Sequence, residues 1–193
     1  MPRLTEATAA KRRMHILEAA ARCLFERGLL AMSVDDVCAT AGISKGAFYS
    51  HFPSKEALIH AVTDMLSAEL GPIEDTGIAA LADSVFERQI APALPPANAR
   101  FGIEVTAASA GDAGLRERNT ANLERLRHAV EAAVRGLIAA GKARAGVDAE
   151  AVGWLVQAHV MGVLCRNAVW QAQDEAALRR STHLLFESLL APV

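Results

Sequence analysis

Lys45, Gly46, Ala47, Tyr49, Ser50 and His51 fall within seven consecutive residues. Together they offer an ammonium, a backbone position without a side chain, two hydroxyls and an imidazole. Such groups contact phosphate oxygens and base edges. Ser33, Ser44 and Lys55 flank them, and their hydroxyls, helix-cap positions and charge suit phosphate. No catalytic constellation stands out. The six His are scattered, and there is no H-E-x-x-H, no G-x-S-x-G and no phosphate-binding glycine loop. His159 and Cys165 can share one helix surface, which is thin support for either a nucleophile or a metal site. The chain is therefore not expected to be an enzyme, and no cofactor or metal is expected.

The elements that must hold these groups lie in residues 33–55, SVDDVCATAGISKGAFYSHFPSKEA. Ser33 is placed to cap a helix whose first turn holds Asp35 and Asp36, where the helix dipole favours negative charge. Val34, Val37, Cys38 and Ala41 recur at helical spacing. Gly42 falls where the helix must end in a left-handed residue. Ser44 then caps a second helix over 45–52, about two turns and roughly 12 Å long. Pro53–Ser54 closes it and caps a third. Ile43, Phe48 and Phe52 can anchor the short helix to a core. Helix, glycine turn, second helix is the arrangement that lays its second helix in the DNA major groove.

The string AxxAGISKGAFYSHFPSKEAL resembles the signature of the TetR family of bacterial transcriptional regulators, in which a small-residue AG turn precedes S-K-G-x-[FL]-Y-x-H-F-x-S-K-E-x-L. ILEAAARCLFERGLLAMSVDDV resembles that family's first helix and its entry to the second. Leu24 stands where the family usually has Phe, with Phe25 beside it, a departure that alters packing only. The resemblance covers residues 11 to about 62. It implies that Lys45, Gly46, Ala47, Tyr49, Ser50 and His51 face the groove, with Ser33, Ser44 and Lys55 on phosphates. It also implies a homodimer, with the helix after Ser54 linking the DNA-binding unit to the rest.

Net charge is −2, but residues 1–56 carry eight Lys or Arg against six Asp or Glu, while the remainder carries twelve against sixteen. A basic first third and an acidic body suit docking on a polyanion by one end. Cys23, Cys38 and Cys165 are odd in number and widely spaced, which predicts a reduced, cytoplasmic protein. The chain has neither a spanning apolar run nor an apolar stretch after its first basic residues, so no membrane partner is expected.

Read in order, Arg3, Lys11, Arg12 and Arg13 form a basic lead-in, which suits either an arm reaching phosphates or a frayed terminus. A first helix is predicted from about residue 8 or 10 to Arg27, with Ile16, Ala20 and Leu24 as its stripe and Gly28 as its stop. After Ser54 a helix reaches about Leu70, where Gly71–Pro72 ends it. From residue 73 periodicity alone predicts helices over 78–90, from about 97 to the 111–114 glycine break, and over 112–140, 149–170 and 175–190. No strand pattern stands out, so the fold class is all-α, with an N-terminal three-helix helix-turn-helix unit (1–53) and a helical bundle (54–193) for ligand binding and dimerisation.

Asn119 and Asn122 continue the inward stripe of Leu126 and Val130, which suits either a ligand cavity or a helix end near the surface. If a cavity, its expected walls are Phe86, Phe101, Leu126, Val130, Leu155 and His159, and Asn119 and Asn122 are its polar handles. The walls carry no cluster of one charge, so the expected ligand is neutral or weakly polar and partly aromatic. His159 suits a satisfied core histidine equally well. The helix over 149–170 is apolar on both sides, and the second side most simply meets another subunit. Trp154, Met161, Cys165, Leu178, Leu185 and Leu189 are the expected dimer contacts. The expected function is a transcriptional regulator on double-stranded operator DNA, released as a repressor by a small molecule. An activator, a ligand-independent regulator and a helical protein-interaction module are the alternatives.

Overall fold

Capping side chains, glycines and prolines cut the chain into helices. A computed structural model describes residues 6–68, 72–170 and 174–192. Among them are nine α-helices and no strand: α1 Glu6–Arg27, α2 Val34–Ala41, α3 Lys45–Tyr49, α4 Lys55–Ala68, α5 Ile78–Val85, α6 Pro96–Ala108, α7 Ala113–Ala139, α8 Ala149–Trp170 and α9 Glu175–Leu190. Arg3, Leu70 and Gly71, which carried part of the sequence reading, lie outside the described residues.

The predicted caps do their work. Ser33 and Asp36 form a reciprocal capping box at α2, and Gly42 ends that helix at φ 64°. Ser44, Asp112 and Asp174 each accept a hydrogen bond from the backbone N–H three residues on. Gly141, at φ 66°, follows α7.

Two elements differ from expectation. The short helix ends at Tyr49 instead of Phe52. The Ser50 hydroxyl donates to Ala47 O at 2.7 Å and His51 N closes a tighter turn onto Phe48 O. Pro53 also disfavours helical backbone at the residue before it. The helix over 78–90 is interrupted as well. α5 stops at Val85, the backbone widens into a π turn over Phe86–Ile90, and a 3-10 turn follows over Ala91–Ala93. Pro92 has no N–H to offer Arg88 O, and its ring crowds that carbonyl, so regular α-helix cannot pass through.

The first core joins α1 (Ile16, Ala20, Leu24), α2 (Val37), α3 (Phe48) and α4 (Leu58, Val62), with Phe52 just beyond α3. Phe101, Val105 and Leu115 belong to the same cluster, so apolar packing runs straight through the position at which the sequence pattern divides the chain. Polar ties reinforce the junction. Leu29 N donates to Glu104 Oε2 (2.6 Å) and Arg100 Nη2 to Phe25 O (2.7 Å). Arg118 pairs with Asp64, and His60 with Asp112. A second core gathers α5, α7, α8 and α9 around Leu81, Val130, Val134, Val156 and Phe186. A third, smaller cluster holds Phe86, Ile90, Val163 and Leu178.

Candidate nucleic-acid interface and internal cavity

α3 is held from beneath and left open on top. Phe48 and Phe52 are fully buried, and each such ring contributes on the order of 1.5–3 kcal/mol through its removal from water. Arg13 lies over the Phe52 ring at 4.2 Å and donates to His51 O at 3.3 Å. That arginine of the basic lead-in thus braces the end of α3, while Lys11 and Arg12 remain exposed. His15 Nε2 sits 3.0 Å from Ala41 O, bracing α2 in the same way.

On the outer side Ser44, Lys45, Gly46, Ala47, Tyr49 and Ser50 are exposed, and His51 and Lys55 are half-buried. The Tyr49 ring meets Phe48 edge-on at 5.2 Å, so its hydroxyl end projects from a fixed base. Gly46 is informative for what surrounds it. A Cβ added there would meet nothing nearer than Ser44 Oγ at 3.9 Å. Glycine in a helix is destabilising, and nothing inside the protein requires it at this position.

One residue expected on phosphate, Ser33, and one expected at the groove, Lys45, are already engaged. The Ser33 hydroxyl accepts from Asp36 N and donates to Asp36 Oδ2, which leaves it little to offer outside. Those bonds, first the Ser33 hydroxyl and then its N–H, together with the Arg27 guanidinium, hold the Asp36 carboxyl below its ordinary range. Lys45 Nζ pairs with Asp35 at 2.8 Å, a bond that pushes the lysine's pKa upward and must be exchanged if Lys45 is to reach the groove.

Behind this unit lies a cavity of about 480 Å³ lined by α4, α6, α7, α8 and the π turn, with Phe25 of α1 at one end. Phe101, Asn119, Asn122 and Leu126, four of the expected wall and handle residues, line it. The other four do not. Phe86 is buried in the third cluster beneath the Arg179 guanidinium, and Val130 in the second core. Leu155 is 47% exposed, turned away from the interior. His159 Nε2 lies 3.0 Å from Thr182 Oγ1 between α8 and α9, and burial lowers its pKa. Gln157, Gln89, Thr63 and Thr106 line the cavity and went unread in the sequence, where a lone polar residue on a helix has no distinguishing pattern. Asn122 Nδ2 donates to Ser67 Oγ on α4 at 2.5 Å, and Arg125 holds Asn122 Oδ1.

The expected dimer residues also divide. Leu178 is buried in the third cluster, Leu185 and Leu189 pack against the second core, and Met161 lines the cavity. Trp154 and Cys165 remain exposed, Trp154 with Arg127 over its ring at 5.0 Å. Leu155, Val169 and Trp170 on α8 and Leu184 on α9 are likewise exposed apolar side chains.

Among the described residues no helix is long and apolar enough to cross a membrane, and no cluster of His, Cys, Asp or Glu can hold a metal ion. A braced, capped helix pair presenting its second helix outward defines the chain as a helix-turn-helix protein. The sequence pattern of "Bacterial regulatory proteins, tetR family" matches residues 16–62. The HTH-type transcriptional regulator CymR of Pseudomonas putida is 30% identical over 178 residues, 87% of this chain and 86% of that one. The regulator TtgR, also of Pseudomonas putida, is 38% identical over 66 residues, 34% of this chain, so the match spans just 31% of TtgR. Salmonella enterica GusR superposes with a TM-score of 0.74 at 28% identity, covering 98% of this chain and 99% of that one. The chain belongs to the TetR family of bacterial transcriptional regulators.

Proposed function

We propose that this chain acts in the cytoplasm as a homodimeric repressor that occupies operator DNA through α2 and α3 and leaves it when a small molecule fills the cavity. The observation that carries the DNA-facing part is Gly46. Its side-chain position is open, nothing in the protein needs it empty, and it lies on the exposed side of α3. A backbone kept bare on an outward face is explained by a partner that comes close. Around it stand Lys45, Ala47, Tyr49, Ser50 and His51 for the groove, with the Ser44 cap and Lys55 for phosphates.

The body, residues 54–193, serves dimerisation and ligand response. The exposed apolar side chains of α8 and α9 are of the kind that a second copy covers across a two-fold axis. Two reading heads set by that axis meet two half-sites at about one helical turn or a multiple. The Asn122–Ser67 and Arg125–Ser67 bonds join the cavity wall to the end of α4, the helix that follows α3 in the chain. A ligand that binds better to the spacing unfit for DNA shifts the population away from the operator.

The test uses the full chain and a fluorescent duplex from the intergenic DNA next to its own coding sequence, read by anisotropy against a shuffled duplex. Discrimination of about 10³-fold or more supports the reading. Equal affinity for both duplexes at about 0.15 M salt, where non-specific binding is weak, removes sequence-specific operator binding.

A further inference from the structure

A second chamber of about 310 Å³ lies against the cavity, and Ser67, Gln89, Asn122 and Leu126 line both. These four residues form the partition, and the Asn122–Ser67 hydrogen bond between α7 and α4 is part of it. Charge distinguishes the two spaces. No described residue lining the inner cavity carries a formal charge, whereas the outer chamber is lined by Arg125, its one charged residue among those described.

The Arg125 guanidinium stands at the partition itself. Its Nη2 donates to Asn122 Oδ1 at 2.8 Å and to Ser67 O at 3.4 Å. Arg118, Arg127 and Arg135 of the same helix each pair with a carboxylate. Arg125 rests on those two neutral oxygens, and its Nε and Nη1 donate to no described residue. An ion pushed into the inner cavity would lose its water and gain no counter-ion. An anion at the partition keeps part of its water, because Arg125 is exposed, and meets a planar fork that suits a carboxylate. A cation there meets like charge. The two chambers therefore ask different things of the two ends of one molecule.

Resting on the reading of the cavity as the effector site, we propose that its ligand is an amphipathic monoanion, with an apolar ring body in the inner cavity and a carboxylate on Arg125 in the outer chamber. Phe101, Val160 and Leu164 are among the apolar residues enclosing the body, and each chamber has the volume of a small-molecule pocket. This departs from the neutral ligand that the expected wall residues suggest, because Arg125 joins the site only through the packing of α7 on α4. A bound carboxylate competes with Ser67 O for the same guanidinium, so occupancy loosens the tie to the end of α4.

Three matched probes test this by calorimetric titration of the full chain: 4-(biphenyl-4-yl)butanoate, its primary amide, and the corresponding butylamine, a cation at neutral pH. The expected order is carboxylate about fivefold or more tighter than amide, with the amine weakest, and the carboxylate advantage should shrink as salt is raised. In Arg125→Gln, checked for native helix content by circular dichroism, the carboxylate-to-amide ratio should fall to about one, and Arg125→Lys should keep part of it. Equal binding of carboxylate and amide by the wild type, or tightest binding by the amine, overturns the ligand class while leaving the cavity as an effector site. A carboxylate preference that persists in Arg125→Gln overturns the role of Arg125. Carboxylate binding in the expected order that leaves the operator duplex bound, read by anisotropy, overturns the effector reading while leaving the ligand class. Binding of none of the three removes both. The wild-type series decides the ligand class whatever the fate of the variants.

Discussion

Replacing Gly46 by Ala separates what the protein needs from what its partner needs. The added methyl would lie 3.9 Å or more from every neighbouring side chain, at ordinary contact distance, so the folded state accommodates it without movement. Alanine loses less backbone entropy than glycine on entering a helix, a gain of roughly 0.5–1 kcal/mol. For a domain of this size each kcal/mol raises Tm by about 2–4 °C, so the variant should melt roughly 1–4 °C higher. On the outer side the same methyl stands where DNA backbone or base edges approach α3. Forcing the helix outward loses contacts of the kind worth about 1–3 kcal/mol each, or roughly 5- to 150-fold in operator affinity. Circular dichroism melting gives the first quantity and fluorescence anisotropy the second, on the same preparation. A higher Tm with unchanged operator affinity would show that nothing approaches Gly46. A lower Tm would refute the reading of free space around it.

Lys55→Ala should weaken binding to all duplexes and reduce the salt slope by about 0.9, the loss of one phosphate contact, as read by anisotropy between about 50 and 200 mM salt. Asp35→Asn releases Lys45 from an exposed pair worth about 0.2–1 kcal/mol, so affinity should rise up to about fivefold, and the gain should vanish in a Lys45→Ala background. Leu155→Glu or Leu184→Glu should yield monomers in analytical ultracentrifugation at micromolar concentration, since both side chains are exposed and apolar in the single chain; a stable dimer from either would move the interface elsewhere. His159 has its pKa lowered by burial, so the folded state resists its protonation. Its contribution to stability is complete above the ordinary value of about 6.5 and is lost as pH falls below it towards the folded pKa. Between about pH 7.5 and 5.5, a window that brackets the ordinary value, the wild type should therefore lose more Tm than His159→Gln.

The helix-turn-helix unit was legible because its information is local. Ser33 with Asp36, Gly42 and Ser44 set helix ends within a few residues of themselves, and those ends stand as the residue types demanded. Phe48 and Phe52 turned inward at helical spacing, which left the intervening side chains outward. Local rules failed where two local effects competed. The helix-forming pattern of residues 78–90 lost to Pro92 one turn ahead, and α3 lost its last turn to the Ser50 hydroxyl and Pro53.

The body shows the other limit. The sequence determined that α8 is a helix capped near Asp148 with apolar residues on both sides, either of which is fit for burial. It did not determine which side. α8 is apolar all round, so no polar stripe marks its outer face, and every rotation about its axis buries similar area. Packing against α6 and α7 chose one rotation, placing Gln157 and Met161 at the cavity and leaving Leu155 outward. The same long-range packing buried Leu178 against Phe86 and set Glu104 as the acceptor for Leu29, 75 residues earlier. Caps and turns are decided by atoms within about one helical turn of each other, so a sequence states them. The facing of an apolar helix is decided by what surrounds it, and that exists only once the chain has folded.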